Sequence, residues 1–279
     1  MTTAPIILFV YNRPYHTERV LESLEQNFLS YKSDLIVFSD GPKDMEDHDE
    51  MNKINAVRKI IRSKNWCRTV QLICAEKNVG AEKSQRYGVQ EIIKKHQKII
   101  VIQDDTVLGN NFLLYMNTAL NIYQENEEIK FISGYSFDMK KSNVHETFFL
   151  NICSAWGWGT WANRWTGEVV KDQLYNNHEL STIIEAELFN SLFVNDGLTL
   201  YPKHSFIKNI GFDNSGSYFK LENRFNVDFY PTKLNSFPKI AIKEKATLKR
   251  SFKHFLRSAN EHHQLNFFKY ILSRISCWF

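Results

Sequence analysis

The chain has 279 residues, 43% of them apolar, so it buries a sizeable core as one large α/β domain or two small ones, which excludes a disordered or fibrous protein. With 35 Lys+Arg against 31 Asp+Glu the net charge is +4, too balanced for an obligate nucleic-acid binder but suited to an anionic small molecule. The four cysteines, Cys67, Cys74, Cys153 and Cys277, have no C-x-x-C spacing, which reads as reduced thiols in a cytosolic compartment and argues against zinc.

The opening Met1-Thr2-Thr3-Ala4-Pro5 carries no basic stretch and its apolar run is short, so neither a signal peptide nor a membrane span is expected. Runs rich in Ile, Val and Leu predict strands at Ile6 to Tyr11, Leu35 to Asp40, Val70 to Ala75 and Lys98 to Asp105. Pro14 stands where a helix starts, and Val20, Leu21, Leu24 and Phe28 follow at helical steps; Ile54, Val57 and Ile61 mark a second helix, and Phe112, Met116 and Leu120 a third. Strand, helix, strand, helix is the rhythm of a parallel sheet with right-handed crossovers. Phe131 to Phe137 and Phe148 to Cys153 predict two further strands, after which the pattern is irregular and aromatic. The domain so outlined spans 1–245. Residues 246–279 form a basic aromatic tail, where Lys249, Arg250, Lys253, Arg257, Lys269 and Arg274 face one acid, Glu261. A helix lying on anionic lipid and a helix packed on the domain with a solvated basic face both fit this pattern.

In an open α/β sheet a ligand binds at the carboxyl ends of the strands. Those ends carry Tyr11-Asn12-Arg13, Ser39-Asp40-Gly41, Glu76-Lys77-Asn78-Val79-Gly80 and Gln103-Asp104-Asp105. An adjacent acid pair ahead of the helix through Phe112 fits equally a cation site and a local role in which Asp104 caps that helix or completes a turn while Asp105 faces solvent. Its position at a strand end favours the cation, because Mg²⁺ or Mn²⁺ takes one or two carboxylates and fills its other positions with diphosphate oxygens and water. Arg13 and Lys83 suit the anionic part of a ligand, and Asp40 suits a hydrogen bond from a base or ribose. Gly80 begins no G-x-G-x-x-G, which disfavours a dinucleotide-binding Rossmann domain. Ser154-Ala155-Trp156-Gly157-Trp158-Gly159-Thr160-Trp161 alternates indoles with glycines, leaving flat faces on which sugars stack; burial in the core competes with this, so at least one indole is expected in the core and another at the cleft.

Taken jointly, these segments resemble bacterial glycosyltransferases of the GT-A fold, the family-2-like group acting on capsule and lipopolysaccharide chains, and more faintly N-acetylglucosaminyltransferase I. The resemblance runs from Ile6 to about Tyr218. It rests on Val10-Tyr11-Asn12-Arg13-Pro14, Ser39-Asp40-Gly41, Asn78-Val79-Gly80, Gln103-Asp104-Asp105, the tryptophan segment, and Gly197-Leu198-Thr199-Leu200-Tyr201-Pro202 leading to Asn209-Ile210-Gly211-Phe212-Asp213. It implies a Rossmann-like, mostly parallel mixed sheet flanked by helices. It further implies that Arg13, Asp40 and Lys83 hold a nucleotide-sugar, most readily a UDP-sugar, that Asp104 contacts ribose or sugar, and that Asp105 ligates Mn²⁺ or Mg²⁺. Trp156 and Trp158 would face a glycan or lipid-linked acceptor at the cytoplasmic side of the inner membrane.

Three departures accompany the likeness. Gln103 stands where the family usually has Glu, which bears on sugar preference, and Tyr218 stands where relatives commonly carry His. The stretch between Trp165 and Gly197 lacks the Asp/Asn-Ser/Thr-Trp pattern associated with the catalytic base, leaving Glu168 and Asp172 as the nearest acids for that role. An active transferase, a domain of this fold kept for binding or scaffolding, and a nucleotidyltransferase are thus the function classes open to this sequence.

Overall fold

The computed structural model describes residues 2–141, 146–151, 153–165, 197–213, 227, 248, 250, 251 and 254. The first half follows the βα rhythm: β1 (Ile6–Val10), α1 (Pro14–Glu25), β2 (Asp34–Ser39), α2 (His48–Arg62), β3 (Thr69–Cys74), α3 (Ala81–Ile93) and β4 (Lys98–Gln103). All five residues of β1 are buried because both faces of the sheet are covered. Ile6, Leu8 and Val10 join the core under α1, α2 and the later α4 (Phe112–Ile122), while Ile7 and Phe9 join the core under α3. Full burial of such a side chain contributes about 1.5–3 kcal/mol before the entropy cost of ordering the chain.

Local chemistry starts the first two helices, the first of them where the sequence places it. Pro14 occupies the first turn of α1, and Asp47 caps α2 by accepting from the Glu50 N–H. Ile54, Val57 and Ile61 are buried, as are Phe112, Met116 and Leu120 of α4. Phe28, expected on the buried stripe of α1, lies beyond the helix and is 60% exposed, since α1 ends at Glu25.

The second half adds β5 (Thr106–Leu108), β6 (Ile129–Ser133), β7 (Thr147–Leu150), β8 (Trp158–Trp161), β9 (Leu198–Pro202) and β10 (Ile207–Asn209). Eight strands form one sheet in the order β3-β2-β1-β4-β8-β6-β9-β7. The first four are mutually parallel, β8 runs antiparallel between β4 and β6, and β7 runs antiparallel at the edge. This is the mostly parallel mixed sheet that the resemblance implies. The two strands predicted last are shorter than expected: β6 stops at Ser133 and β7 at Leu150. The tryptophan segment, irregular by its pattern, supplies β8, whose Trp158 is wholly buried against Phe131 and Trp165.

Of the tail, Leu248, Arg250, Ser251 and His254 are described; they are helical, with Leu248 buried in the main core and Arg250 and His254 exposed. Among the described residues no helix is long and apolar enough to cross a membrane.

Candidate functional site

Strands β1 and β4 are parallel neighbours with Phe9 opposite Gln103, so whatever follows each strand emerges at the same edge of the sheet. Arg13 follows β1 at the N-cap of α1 but makes no capping bond, and its guanidinium reaches across to the acid pair. Its Nη1 lies 3.1 Å from Asp105 Oδ2 and 3.7 Å from Asp104 Oδ1. The three side chains are 13–19% exposed, so their charges interact with little solvent screening. Burial and the neighbouring Asp105 carboxylate push Asp104 well above the usual carboxylate range, against the opposing pull of Arg13. Asp105 Oδ1 is buried and has no hydrogen-bond partner among the described residues.

A helix cap and a turn are both open to the acid pair by sequence, and the structure has the turn, with β5 coming between it and α4. The pair forms the turn between β4 and β5, and β5 pairs antiparallel with β10, Thr106 opposite Asn209. That ribbon carries 209–213 onto the site. The Ile210 N–H donates to the Asp105 carbonyl at 2.8 Å, and the Gly211 N–H donates to Asn209 Oδ1 at 2.7 Å. Gly211 permits this approach: a Cβ there would stand well inside van der Waals contact with Asp105 Oδ2 and 3.1 Å from both Arg13 Nη2 and Asn209 Oδ1. One step further, Asp213 presents Oδ1 to Arg13 Nη2 at 4.0 Å and Oδ2 to His16 Nε2 at 3.1 Å.

Asp40 follows β2 and faces backbone. Its Oδ1 accepts from the Gly41 and Val79 N–H groups at 2.8 and 2.9 Å, and its Oδ2 accepts from the Gly80 N–H at 3.0 Å. Gly80, at φ +84°, takes the left-handed turn that closes this loop. Asp40 therefore fixes the β3–α3 connection. Arg58 ties the same strand ends by donating to the Asp40 and Ala75 carbonyls. Tyr11 donates its hydroxyl to Glu50, and burial followed by that bond raises its pKa above the ordinary tyrosine value.

Lys83, on the first turns of α3, does not reach the acid pair; it lines a cleft of about 450 Å³ with Phe38, Ser39, Ile73, Val79 and Tyr87. Gln103, partly exposed, ends β4, and its backbone closes the turn with Thr106: the Gln103 N–H donates to Thr106 Oγ1, which donates to the Gln103 carbonyl. Of the two indoles expected on the acceptor side, Trp158 has 0% of its surface exposed and is a core residue, because β8 turns it inward between β4 and β6. Trp156 is partly exposed and packs edge-on against Tyr135 and Phe212, one residue from Asp213. Glu168, Asp172 and Tyr218 lie outside the described residues.

His16, Gly211 and Asp213 are site residues that sequence reasoning gave no role. The last two belong to a motif of the resemblance, Asn209 to Asp213; His16 had only its place on the first turn of a helix that begins beside Arg13.

No protein-family model and no curated protein matches the chain. Solved structures with a similar course of the chain include TarS of S. aureus, at 12% identity over 74% of this chain with a TM-score of 0.45. Apo-UDP-glucose pyrophosphorylase aligns at 10% identity over 74% of this chain and 93% of its own, with a TM-score of 0.42. A cytidylyltransferase from Leptospira borgpetersenii aligns at 8% identity over 58%, with a TM-score of 0.33. The chain spans 36% of the length of TarS and 62% of that of the cytidylyltransferase. At these identities the likeness is one of fold.

Proposed function

We propose that the protein is a divalent-cation-dependent glycosyltransferase, moving a sugar from a nucleoside-diphosphate sugar to a hydroxyl of a glycan or lipid-linked acceptor in surface polysaccharide synthesis. The observation that carries this reading is the meeting of Arg13 with Asp104 and Asp105 at the ends of two adjacent parallel strands, 3.1 Å apart at the closest atoms. A cation and an acid pair at such an edge suit an anionic ligand bound together with a metal.

A divalent cation fits these residues on two counts. Asp105 Oδ1 is a buried acceptor with no donor among the described residues, and the glycine at 211 keeps clear the space beside Oδ2 that a Cβ would fill. Both ligands would be hard oxygens, the kind Mn²⁺ and Mg²⁺ prefer. Asp105 would hold the cation with Asp104 beside it, and the bound cation would neutralise charge on the leaving diphosphate.

The chain's own groups supply the rest of the reading. Arg13 would bind phosphate oxygens through paired N–H donors. The nucleoside would occupy the cleft between Phe38, Val79 and Tyr87, with Lys83 at its wall and Asp40 holding the loop that carries Val79. By strand spacing this cleft, at the ends of β2 and β3, lies about 12 Å from the end of β4, so base and diphosphate would lie along one edge. Gln103 would face the donor sugar and Trp156 the acceptor. In an inverting transfer a base removes the acceptor proton as the new glycosidic bond forms and the bond to diphosphate breaks; Glu168 and Asp172 are the acids proposed for that step. The tail, 246–279, is proposed to lie against anionic lipid beyond the helical turn that Leu248 anchors in the core.

Thermal shifts against UDP-, GDP-, dTDP- and CMP-sugars, with and without Mn²⁺, test the donor site alongside Asp105→Ala. A shift for one nucleotide that needs both Mn²⁺ and Asp105 supports the reading; no shift with any nucleotide overturns it in favour of a binding or scaffolding domain. Truncation after Thr247 with liposome sedimentation tests the tail, since unchanged partitioning removes the lipid role.

A further inference from the structure

Arg13 stands between two sets of carboxylates. On the buried side its Nη1 faces Asp105 and Asp104 at 3.1 and 3.7 Å; on the open side its Nη2 faces Asp213 at 4.0 Å. Asp213 is 48% exposed, yet its other oxygen is held at 3.1 Å by His16 Nε2, which is buried on the first turn of α1. The backbone that carries Asp213 is itself fixed, through the Ile210 N–H on the Asp105 carbonyl and the β5–β10 ribbon. The guanidinium thus has a strong contact on the acid pair and a longer, prearranged one on Asp213.

A divalent cation at Asp105 changes this balance. It takes the carboxylate charge that holds Nη1 and repels the guanidinium, so Arg13 must either leave the acid pair or oppose the cation. Asp213 lies on the side to which Arg13 would turn, and a carboxylate already fixed by His16 receives it without further ordering. The same turn brings the guanidinium out of the acid pair and toward the open edge, where an anionic ligand enters.

We infer that Arg13 is the exchangeable countercharge of the acid pair and that Asp213, fixed by His16, is the positioning residue that receives the guanidinium when a cation binds at Asp105. This rests on the proposed donor site. It assigns Asp213 and His16 a task distinct from ligating the cation: they set how readily Arg13 yields its place.

Calorimetric titration with Mn²⁺ alone, and with UDP in the presence of Mn²⁺, tests the assignment on the full chain and on Arg13→Gln, Asp213→Asn and the double variant. Arg13→Gln removes the competing charge, so Mn²⁺ alone binds about tenfold more tightly while UDP with Mn²⁺ binds more weakly. Asp213→Asn weakens Mn²⁺ binding by a similar factor in the wild-type background and has little effect in the Arg13→Gln background. His16→Ala, which removes the support of Asp213, weakens Mn²⁺ binding in the direction of Asp213→Asn, and His16→Gln, which keeps a donor, recovers it; equal affinities in the two variants overturn the part assigned to His16. Equal weakening by Asp213→Asn in both backgrounds, the signature of a bulk charge effect, overturns the inference. So does unchanged Mn²⁺ affinity in Arg13→Gln, even where wild type shows Mn²⁺-dependent UDP binding abolished by Asp105→Ala. Absence of that binding in wild type overturns the donor site itself and the inference with it.

Discussion

Replacing Gly211 with alanine separates the demands of the site from those of the fold. The added Cβ would press into Asp105 Oδ2 and stand 3.1 Å from Arg13 Nη2 and Asn209 Oδ1. To restore ordinary contact the Asp105 carboxylate must retreat by about 1 Å and the other two groups by a few tenths. The Arg13 Nη1 to Asp105 Oδ2 contact starts at 3.1 Å, so a retreat of this size away from Arg13 would carry it beyond hydrogen-bonding range. The group that moves is a side-chain end rather than backbone, so the stability cost falls at the lower end of the overpacking range, about 1–3 kcal/mol. For a chain of this size Tm falls by roughly 2–4 °C per kcal/mol. Cation affinity suffers more, because a carboxylate displaced from its support loses about 10- to 100-fold. Thermal melts report the first effect, and titration of UDP in the presence of Mn²⁺ reports the second. A folded Gly211→Ala protein that binds UDP and Mn²⁺ within about twofold of wild type, or a fall in affinity no larger than the stability loss accounts for, refutes the assignment of Gly211 as the cradle of Asp105.

Three further outcomes are expected. The raised Asp104 carboxyl binds a proton in the folded state at pH values where the unfolded chain has released it, so the group's stabilising effect is present at low pH and is lost as pH rises through its folded value. Denaturation of the metal-free protein across this range therefore shows Asp104→Asn gaining stability relative to wild type as pH rises, and a pH-independent difference contradicts the buried-pair reading. Asp40→Asn leaves at least one backbone N–H of the β3–α3 connection without its acceptor and costs about 1–3 kcal/mol in urea denaturation, with unchanged stability arguing against the loop-holding role. The Cys67 thiol, buried and pushed up to about 12 chiefly by that burial, stays protonated and unreactive at about pH 8 while exposed Cys74 is alkylated; peptide mapping that finds Cys67 labelled first reverses this order.

Much of the scaffold is legible along the chain because burial on both faces leaves a continuous apolar run. Ile6 to Val10 and Lys98 to Gln103 read as buried strands for that reason, and Pro14 marks the start of α1 by local chemistry alone. Given parallel strands, the strand-end rule then brings Arg13 and Asp105 to one edge, and they meet there. Asp40 stands at a strand end as that rule requires, but the rule gives no sign that its oxygens also accept from the neighbouring Gly41 N–H and, from a loop remote in sequence, the Val79 and Gly80 N–H groups. It also had no means of telling which indole is core: Trp158 lies within β8, whereas Trp156 precedes that strand, across Gly157 at φ +62°, so the two do not share one strand face.

What the sequence by itself determined is the alternation of strands and helices, the start of α1 at Pro14, and the polar groups delivered to the strand ends. Tertiary structure alone decided that β8 inserts antiparallel between β4 and β6, that β10 pairs with β5, and that Gly211, Asp213 and His16 close around Arg13. The physical reason is that periodicity encodes which face of a segment is buried, whereas the partner and register of that segment depend on hydrogen bonds and packing with residues far along the chain.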